Sequence, residues 1–214
     1  MPFLFGMLGW VMTDKETAMS ALAAEPYALT GQGWGDTVRL WESTDAPEGC
    51  KVEIIEGIVT VAPPPSSDHN LIADLVQEVL YAVKPKDWGV YQTQGLTVPS
   101  KKGLYIPDLV VMDRADLAGR RSSIPADRAE LVVEITSEAN ANHDRVAKVR
   151  GYAAAGVPLY LLLDSWHSAR PTFTLYGEPE DGTYRTLLTG EFGERLTLPE
   201  PFDCDIDTSA FPVP

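Results

Sequence analysis

Acidic residues set inside apolar runs are the first sign of chemistry in this chain. In YIPDLVVM, residues 105–112, Asp108 stands directly before Leu109, Val110, Val111 and Met112; in ELVVEIT, residues 130–136, Glu134 stands between Val133 and Ile135. Each run reads as a short buried strand. A carboxylate on such a strand must be paired, protonated or bound to a cation, because an isolated buried charge costs too much. If the two strands pair, Asp108 and Glu134 converge on a position suited to a hard divalent cation with oxygen ligands, Mg2+ or Mn2+. For either acid alone, a strand-end position, solvated or paired with an arginine, is at least as good an account.

A third element joins them. Asp144, Lys148 and Tyr152 follow one another at helical spacing and share a face, with Val146, Val149 and Ala153 on the opposing, apolar face. The spacing by itself favours a surface ion pair, worth a few tenths of a kcal/mol. The alternative is an ammonium beside a metal site, where it positions water or balances charge developing on a phosphate. His69 opens another helix at the border of its apolar stripe, a place where capping or core-edge histidines outnumber catalytic ones. Glu53 alternates with Val52 and Ile54 on a hairpin and faces either solvent or the site. His143 and His167 make no zinc set, the serines form no nucleophile elbow, and no phosphate-binding glycine motif is present.

The elements that must position these residues follow from periodicity and turn chemistry. KVEIIEGIVTVA, residues 51–62, reads as a hairpin turning at Glu56-Gly57 and stopped by Pro63, Pro64 and Pro65. Ser66, Ser67 and Asp68 are N-cap candidates for a helix whose stripe runs Leu71, Ile72, Leu75, Val76, Val79, Leu80, Val83, ending at Pro85. Strands are expected over 88–98, 105–112 and 130–136, with a charged loop from 113 to 128. A helix over 142–155 ends at Gly156, with Pro158 beyond. LYLLLD, residues 159–164, has the uniform apolarity of a strand covered on both faces. Strands at 172–177 and 183–188 flank the turn Glu180-Asp181-Gly182, and the tail ends irregularly. Residues 13–49 show no clear element. Strands interleaved with two helices predict an α/β sandwich around a mixed sheet.

Taken together, VEIIEGIVTVAPPPSSDHN, YIPDLVVM, LVVEITSEA and HDRVAKVRGYAAAGVPLYLLLD resemble the Uma family of restriction-endonuclease-like proteins, within the PD-(D/E)XK nuclease superfamily. The resemblance covers about residues 38 to 188. It implies a core of helix, three strands, helix and strand, flanked by an N-terminal and a C-terminal β-hairpin. Pro107-Asp108 matches the "PD" and Glu134 the second acid. The lysine expected two residues later is replaced by Thr136, while Asp144 and Lys148 match an Asp and a Lys that recur on the following helix. Glu53 matches the acid of the opening hairpin, His69 the histidine at the helix start, and Tyr152 and Gly156 the aromatic and glycine of the later helix and its exit.

The function so implied is a metal-dependent endonuclease cutting phosphodiester bonds in nucleic acid, DNA in preference. Asp108, Glu134 and the Ile135 carbonyl would hold Mg2+ or Mn2+, Lys148 would supply the ammonium, and Glu53, His69, Asp144 and Tyr152 would support them. Two further readings stand beside it: a nuclease fold that no longer cuts and acts as a binding or regulatory module, and a hydrolase of small phosphorylated molecules. The organisation expected is an extension over 1–37 with room for disorder, the domain over 38–190, and a tail over 191–214 packed on it.

Composition bounds these readings. At 214 residues and 44% hydrophobic content, the chain suits one domain with a core of its own. Cys50 and Cys204 match no metal spacing and read as incidental thiols of a cytoplasmic protein. The apolar start MPFLFGMLGWVM is too short to span a bilayer, and Met7 and Met12 offer alternative starts; no membrane partner is expected. The net charge of −14 argues against a general electrostatic grip on nucleic acid. Its distribution softens the objection. Residues 1–100 carry 5 basic and 13 acidic side chains, residues 171–214 carry 2 and 9, but residues 101–170 carry 10 and 9. In that middle segment Arg114, Arg120, Arg121 and Arg128 lie on the charged loop, within reach of a phosphate backbone or simply solvated. Weak, salt-sensitive DNA binding is the expectation, with a homodimer as the assembly that would cut two strands.

Overall fold

The computed structural model describes residues 33–119, 121–138, 140–167 and 170–213. Residues 1–32 and Arg120 therefore lie outside the described residues. The first element is a helix, α1 (Trp34–Ser43), in a stretch whose sequence shows no clear element. Gly35 in its first turn, a poor helix former, hides it. Trp41 Nε1 ties α1 to the hairpin that follows by donating to the Val52 carbonyl at 2.6 Å.

That hairpin forms as expected from β1 (Lys51–Ile55) and β2 (Ile58–Ala62). Glu56 and Gly57 both take positive φ, 51° and 87°, the turn that matches the twist of two antiparallel strands. Then α2 (Ser67–Val83) begins at Ser66, whose hydroxyl accepts from the His69 amide at 3.2 Å. It buries Ile72, Val76 and Leu80 from the expected stripe together with Ala73, while Leu71 of the stripe is exposed.

Two expected strands are each divided. Residues 88–98 split into β3 (Trp88–Tyr91) and β4 (Gly95–Val98), and residues 105–112 into β5 (Gly103–Tyr105) and β6 (Leu109–Asp113). In the second case Ile106, Pro107 and Asp108 form the link, and Pro107 lacks the amide a continuous ladder needs. Next come β7 (Ser123–Pro125) and β8 (Ala129–Ile135), then a π-helical turn over His143–Lys148 running into α3 (Val149–Ala155). The chain closes with β9 (Leu159–Asp164), β10 (Thr172–Glu180), β11 (Thr183–Glu191), β12 (Arg195–Leu198) and β13 (Cys204–Asp207). The last two pair antiparallel, where the sequence suggests an irregular tail.

The strands build two principal sheets rather than one. The larger runs β11-β10-β9-β8-β6-β3, with β8 and β9 parallel and its other neighbours antiparallel. The smaller runs β2-β1-β5-β4-β7. Helix, three strands, helix and strand are thus α2, β3, β6, β8, α3 and β9, and the insertions β4, β5 and β7 leave the large sheet to form the second. On one face of the large sheet, Leu109, Val111, Leu131, Val133, Leu161 and Leu163 pack with α2 and with Leu196, Leu198, Phe202, Ile206 and Phe211 of the tail. On the other, Val110, Met112, Val132, Tyr160 and Leu162 meet Ile55, Leu96, Val98 and Tyr105 of the second sheet and Tyr152 of α3. Period-two alternation therefore turns Glu134 and the residue before Leu109 toward the space between the sheets.

Candidate active site

Register explains the meeting of the two strand acids. Leu109 pairs with Val133 across β6 and β8, so Asp108 and Glu134 fall side by side at the adjoining strand ends. Asp108 Oδ2 accepts from the Ile135 amide at 2.7 Å and lies 3.0 Å from His69 Nε2, while its Oδ1 takes a hydrogen bond from Lys51 Nζ. Burial pushes the Asp108 carboxyl up, but the hydrogen bond from His69 and the charge of Lys51 outweigh it and hold the group below the usual carboxylate range. Asp108 does sit at a strand end, but it is buried there and its partners are a lysine and a histidine rather than solvent or an arginine.

Glu134 is wholly buried and meets the helical triplet. Lys148 Nζ lies 3.0 Å from Glu134 Oε1, 3.0 Å from Glu53 Oε1 and 3.1 Å from Asp144 Oδ1. Tyr152 adds a donated hydrogen bond to Glu134 Oε1 at 3.0 Å. The surface ion pair favoured by spacing alone is not what forms. Asp144, Lys148 and Tyr152 face inward, and Val146, assigned to the apolar face, is 47% exposed. The reason is partnership: the triplet finds Glu53 and Glu134 inside, whereas the valine finds only solvent. Glu53 faces the site, not solvent, and also accepts from the Ile106 amide at 2.6 Å, fixing the link that carries Asp108.

One ammonium serves three buried carboxyl groups, and the titration of the cluster reflects it. Burial pushes Glu134 well above its ordinary value, with the charges of Asp144, Asp108 and Glu53 adding to the push against the opposing Lys148. Burial likewise raises Asp144, to about 6. Lys148 moves up in turn, since the attraction of Asp144, Glu134 and Glu53 exceeds the cost of its own burial. Glu134 Oε2 has no hydrogen-bond partner, and neither Asp144 oxygen accepts an aligned hydrogen bond although Oδ1 is close to the ammonium.

Thr136, at the position where the resemblance leads one to expect lysine, is built into a separate network. Its hydroxyl donates to Asp164 at 2.8 Å and accepts from the Trp166 amide at 3.1 Å. Arg145 holds the same Asp164 through two hydrogen bonds of 2.7 Å each. Lys51 joins the site without having been marked by any motif in the sequence. It stands two residues before Glu53 on β1, hence on the same strand face, and that alternation was the available signal.

Two cavities, of about 510 and 280 Å3, lie on the Lys51 and His69 side of the site, and Lys51, Pro65 and His69 line both. Asp108 lines the smaller, and Ser137, Glu138 and Asn140 the larger. A third, of about 610 Å3, lies around Arg145, Asp164 and His167, and Glu134 lines none of the three. Arg114, Arg121 and Arg128 line none of these cavities; Arg114 is bound to the Lys86 carbonyl at 2.6 Å. Among the described residues, no set of three or more His, Cys, Asp or Glu side chains is arranged to hold a metal ion, and Cys50 and Cys204 are both free thiols. No helix among them is long and apolar enough to cross a membrane.

Two core strands ending in neighbouring carboxylates, with a buried lysine from the following helix against one of them, define a restriction-endonuclease-like α/β protein. The chain belongs to the Uma2 family, described as "Putative restriction endonuclease", whose model matches residues 36–210. Among solved structures it is similar to one described as a "putative nuclease belonging to DUF820" from Anabaena variabilis ATCC 29413. That likeness has a TM-score of 0.59 at 16% identity, covering 80% of this chain and 91% of the other. No curated protein shows significant similarity to the chain.

Proposed function

We propose that the chain is an endonuclease that hydrolyses phosphodiester bonds in nucleic acid, DNA in the first instance, with the help of a divalent cation. The observation that carries this reading is the meeting of Asp108 and Glu134 at adjoining strand ends, with Lys148 against Glu134. The donor set fits a hard cation. It offers carboxylate oxygens, Glu134 Oε2 lacks a partner, and four carboxyl groups (Glu53, Asp108, Glu134, Asp144) outnumber two ammonium groups (Lys51, Lys148). Asp108, Glu134 and the Ile135 carbonyl would hold Mg2+ or Mn2+. Such an ion, when bound, lowers the pKa of water and neutralises charge on the scissile phosphate.

The remaining roles belong to the chain's own groups. Lys148 keeps Glu134 oriented and sets a positive charge at its Oε1. Glu53 fixes the Asp108 link through the Ile106 amide and, with Asp144, holds the ammonium in place. Tyr152 locks the Glu134 rotamer. His69 holds Asp108 Oδ2 and looks into both cavities. The test is cleavage of plasmid and single-stranded DNA in Mg2+ or Mn2+: activity should disappear in both Asp108→Ala and Glu134→Ala, and activity surviving both would sink the site.

A second reading, a nuclease fold that binds without cutting, draws support from Thr136 and from the complete burial of Glu134 behind Lys148. Calorimetry decides between them, since titration of Mn2+ with no heat of binding would favour the non-cutting module.

A further inference from the structure

Lys148, matched by resemblance to the ammonium of the reaction, has no donor to spare. A protonated amine has three N–H groups, and here three carboxyl groups stand within 3.1 Å of it while the residue is only 1% exposed. To touch a phosphate it would have to abandon a buried acid. Lys51 is placed differently. Its side chain is 18% exposed, it lies on the wall shared by the two cavities, and among the described residues it is the only lysine or arginine lining either. Its one ionic partner among the described residues is Asp108, the carboxylate that the proposed function gives to a divalent cation.

We propose that Lys51 is the substrate-facing cation of this site: parked on Asp108 in the metal-free protein, it is released when a divalent ion takes that carboxylate and then binds a phosphate of the nucleic-acid backbone in the adjoining cavities. Ammonium and metal compete for the same Asp108 oxygens, so occupancy by one frees the other. His69, on the same wall and bound to Oδ2 of the same carboxylate, keeps Asp108 in place while its Oδ1 changes partner. Lys148 thereby acts as a positioning residue on Glu134, and the two lysines divide what one does when it lies on the strand. The inference rests on the nuclease reading above and adds a residue and a switch of partner to it.

The experiment compares wild type, Lys51→Met and Lys51→Arg, with Lys51→Gln as a milder replacement should the methionine variant melt early. Mn2+ binding is measured by calorimetry without DNA. Binding of a labelled DNA duplex is measured by anisotropy in EDTA and in Ca2+, over a range of salt. Removing the competing ammonium should tighten Mn2+ binding several-fold. In Ca2+ it should weaken duplex binding about tenfold and make the slope of log K against log salt shallower by about 1, the signature of one lost phosphate contact. In EDTA, where Lys51 is engaged by Asp108, the duplex affinities should agree, and Lys51→Arg should keep the salt slope. Unchanged duplex affinity and slope in Ca2+, or weakened Mn2+ binding, would overturn the role of Lys51 and make it a structural counter-ion. A wild-type protein that binds neither Mn2+ nor duplex would overturn the nuclease reading itself, so the two failures are told apart.

Discussion

At the scale of single residues, the cluster is governed by a shortage of positive charge. Lys148 is the only cation beside Glu53, Glu134 and Asp144 in the described structure, so Lys148→Met leaves buried acids without their partner. We expect a loss of about 3–5 kcal/mol in urea unfolding, the usual cost of breaking a buried ion pair from one side. Protonation offers a second test. Burial raises Glu134 and Asp144 in the folded state, so folding favours their protonated forms relative to the unfolded chain. For Asp144 this stabilising contribution is complete below about pH 4 and is lost as pH rises through about 6. Asp144→Asn should therefore flatten the fall in stability across that window, while Asp108, whose pKa is lowered, contributes with the opposite sign at more acid pH.

Elements explain why some of this was legible in the sequence and some was not. Glu134 and Asp108 stood out because a charge inside an apolar strand is conspicuous, and the Glu56-Gly57 turn because its backbone needs a residue tolerant of positive φ. The inward face of the 142–155 segment is hidden in the sequence, since an i, i+4 acid–lysine pair looks the same whether it meets water or a second pair of acids. Only the three-dimensional approach of β1, which brings in Glu53, separates the two cases. The division of residues 105–112 was hidden because an apolar run carries no mark of which sheet each half joins. Thr136 illustrates a different limit: its partners Asp164 and Trp166 lie about 30 positions away, at the end of β9 and beyond it. Thr136→Val should cost roughly 1–3 kcal/mol by leaving Asp164 and the Trp166 amide short of a partner. The seam of α3 against β5 is tighter still. A Cβ at Gly151 would stand 2.5 Å from the Tyr105 ring, so Gly151→Ala should destabilise by about 1–3 kcal/mol in thermal or urea melts, an overpacking penalty.

For the molecule as a whole, the charge of −14 sets the terms of any encounter with nucleic acid. Long-range repulsion leaves only local contacts to hold the backbone, so duplex affinity should be low at physiological salt, with a salt slope set by the number of those contacts. The association rate constant, measured by stopped flow, should accordingly stay well below the steered range of about 10⁸ M⁻¹s⁻¹.

The ammonium of Lys148 has one more consequence, since its partners belong to different layers: Glu53 to the five-stranded sheet and Glu134 to the six-stranded one. A single proton-rich group thus acts as a rivet through the middle of the sandwich. The two layers should breathe as one cooperative unit, with slow-exchanging amides of β1 and β8 sharing one opening free energy in native-state hydrogen exchange. Lys148→Arg, which preserves the charge, should keep that common value, whereas Lys148→Met should let the smaller layer open on its own.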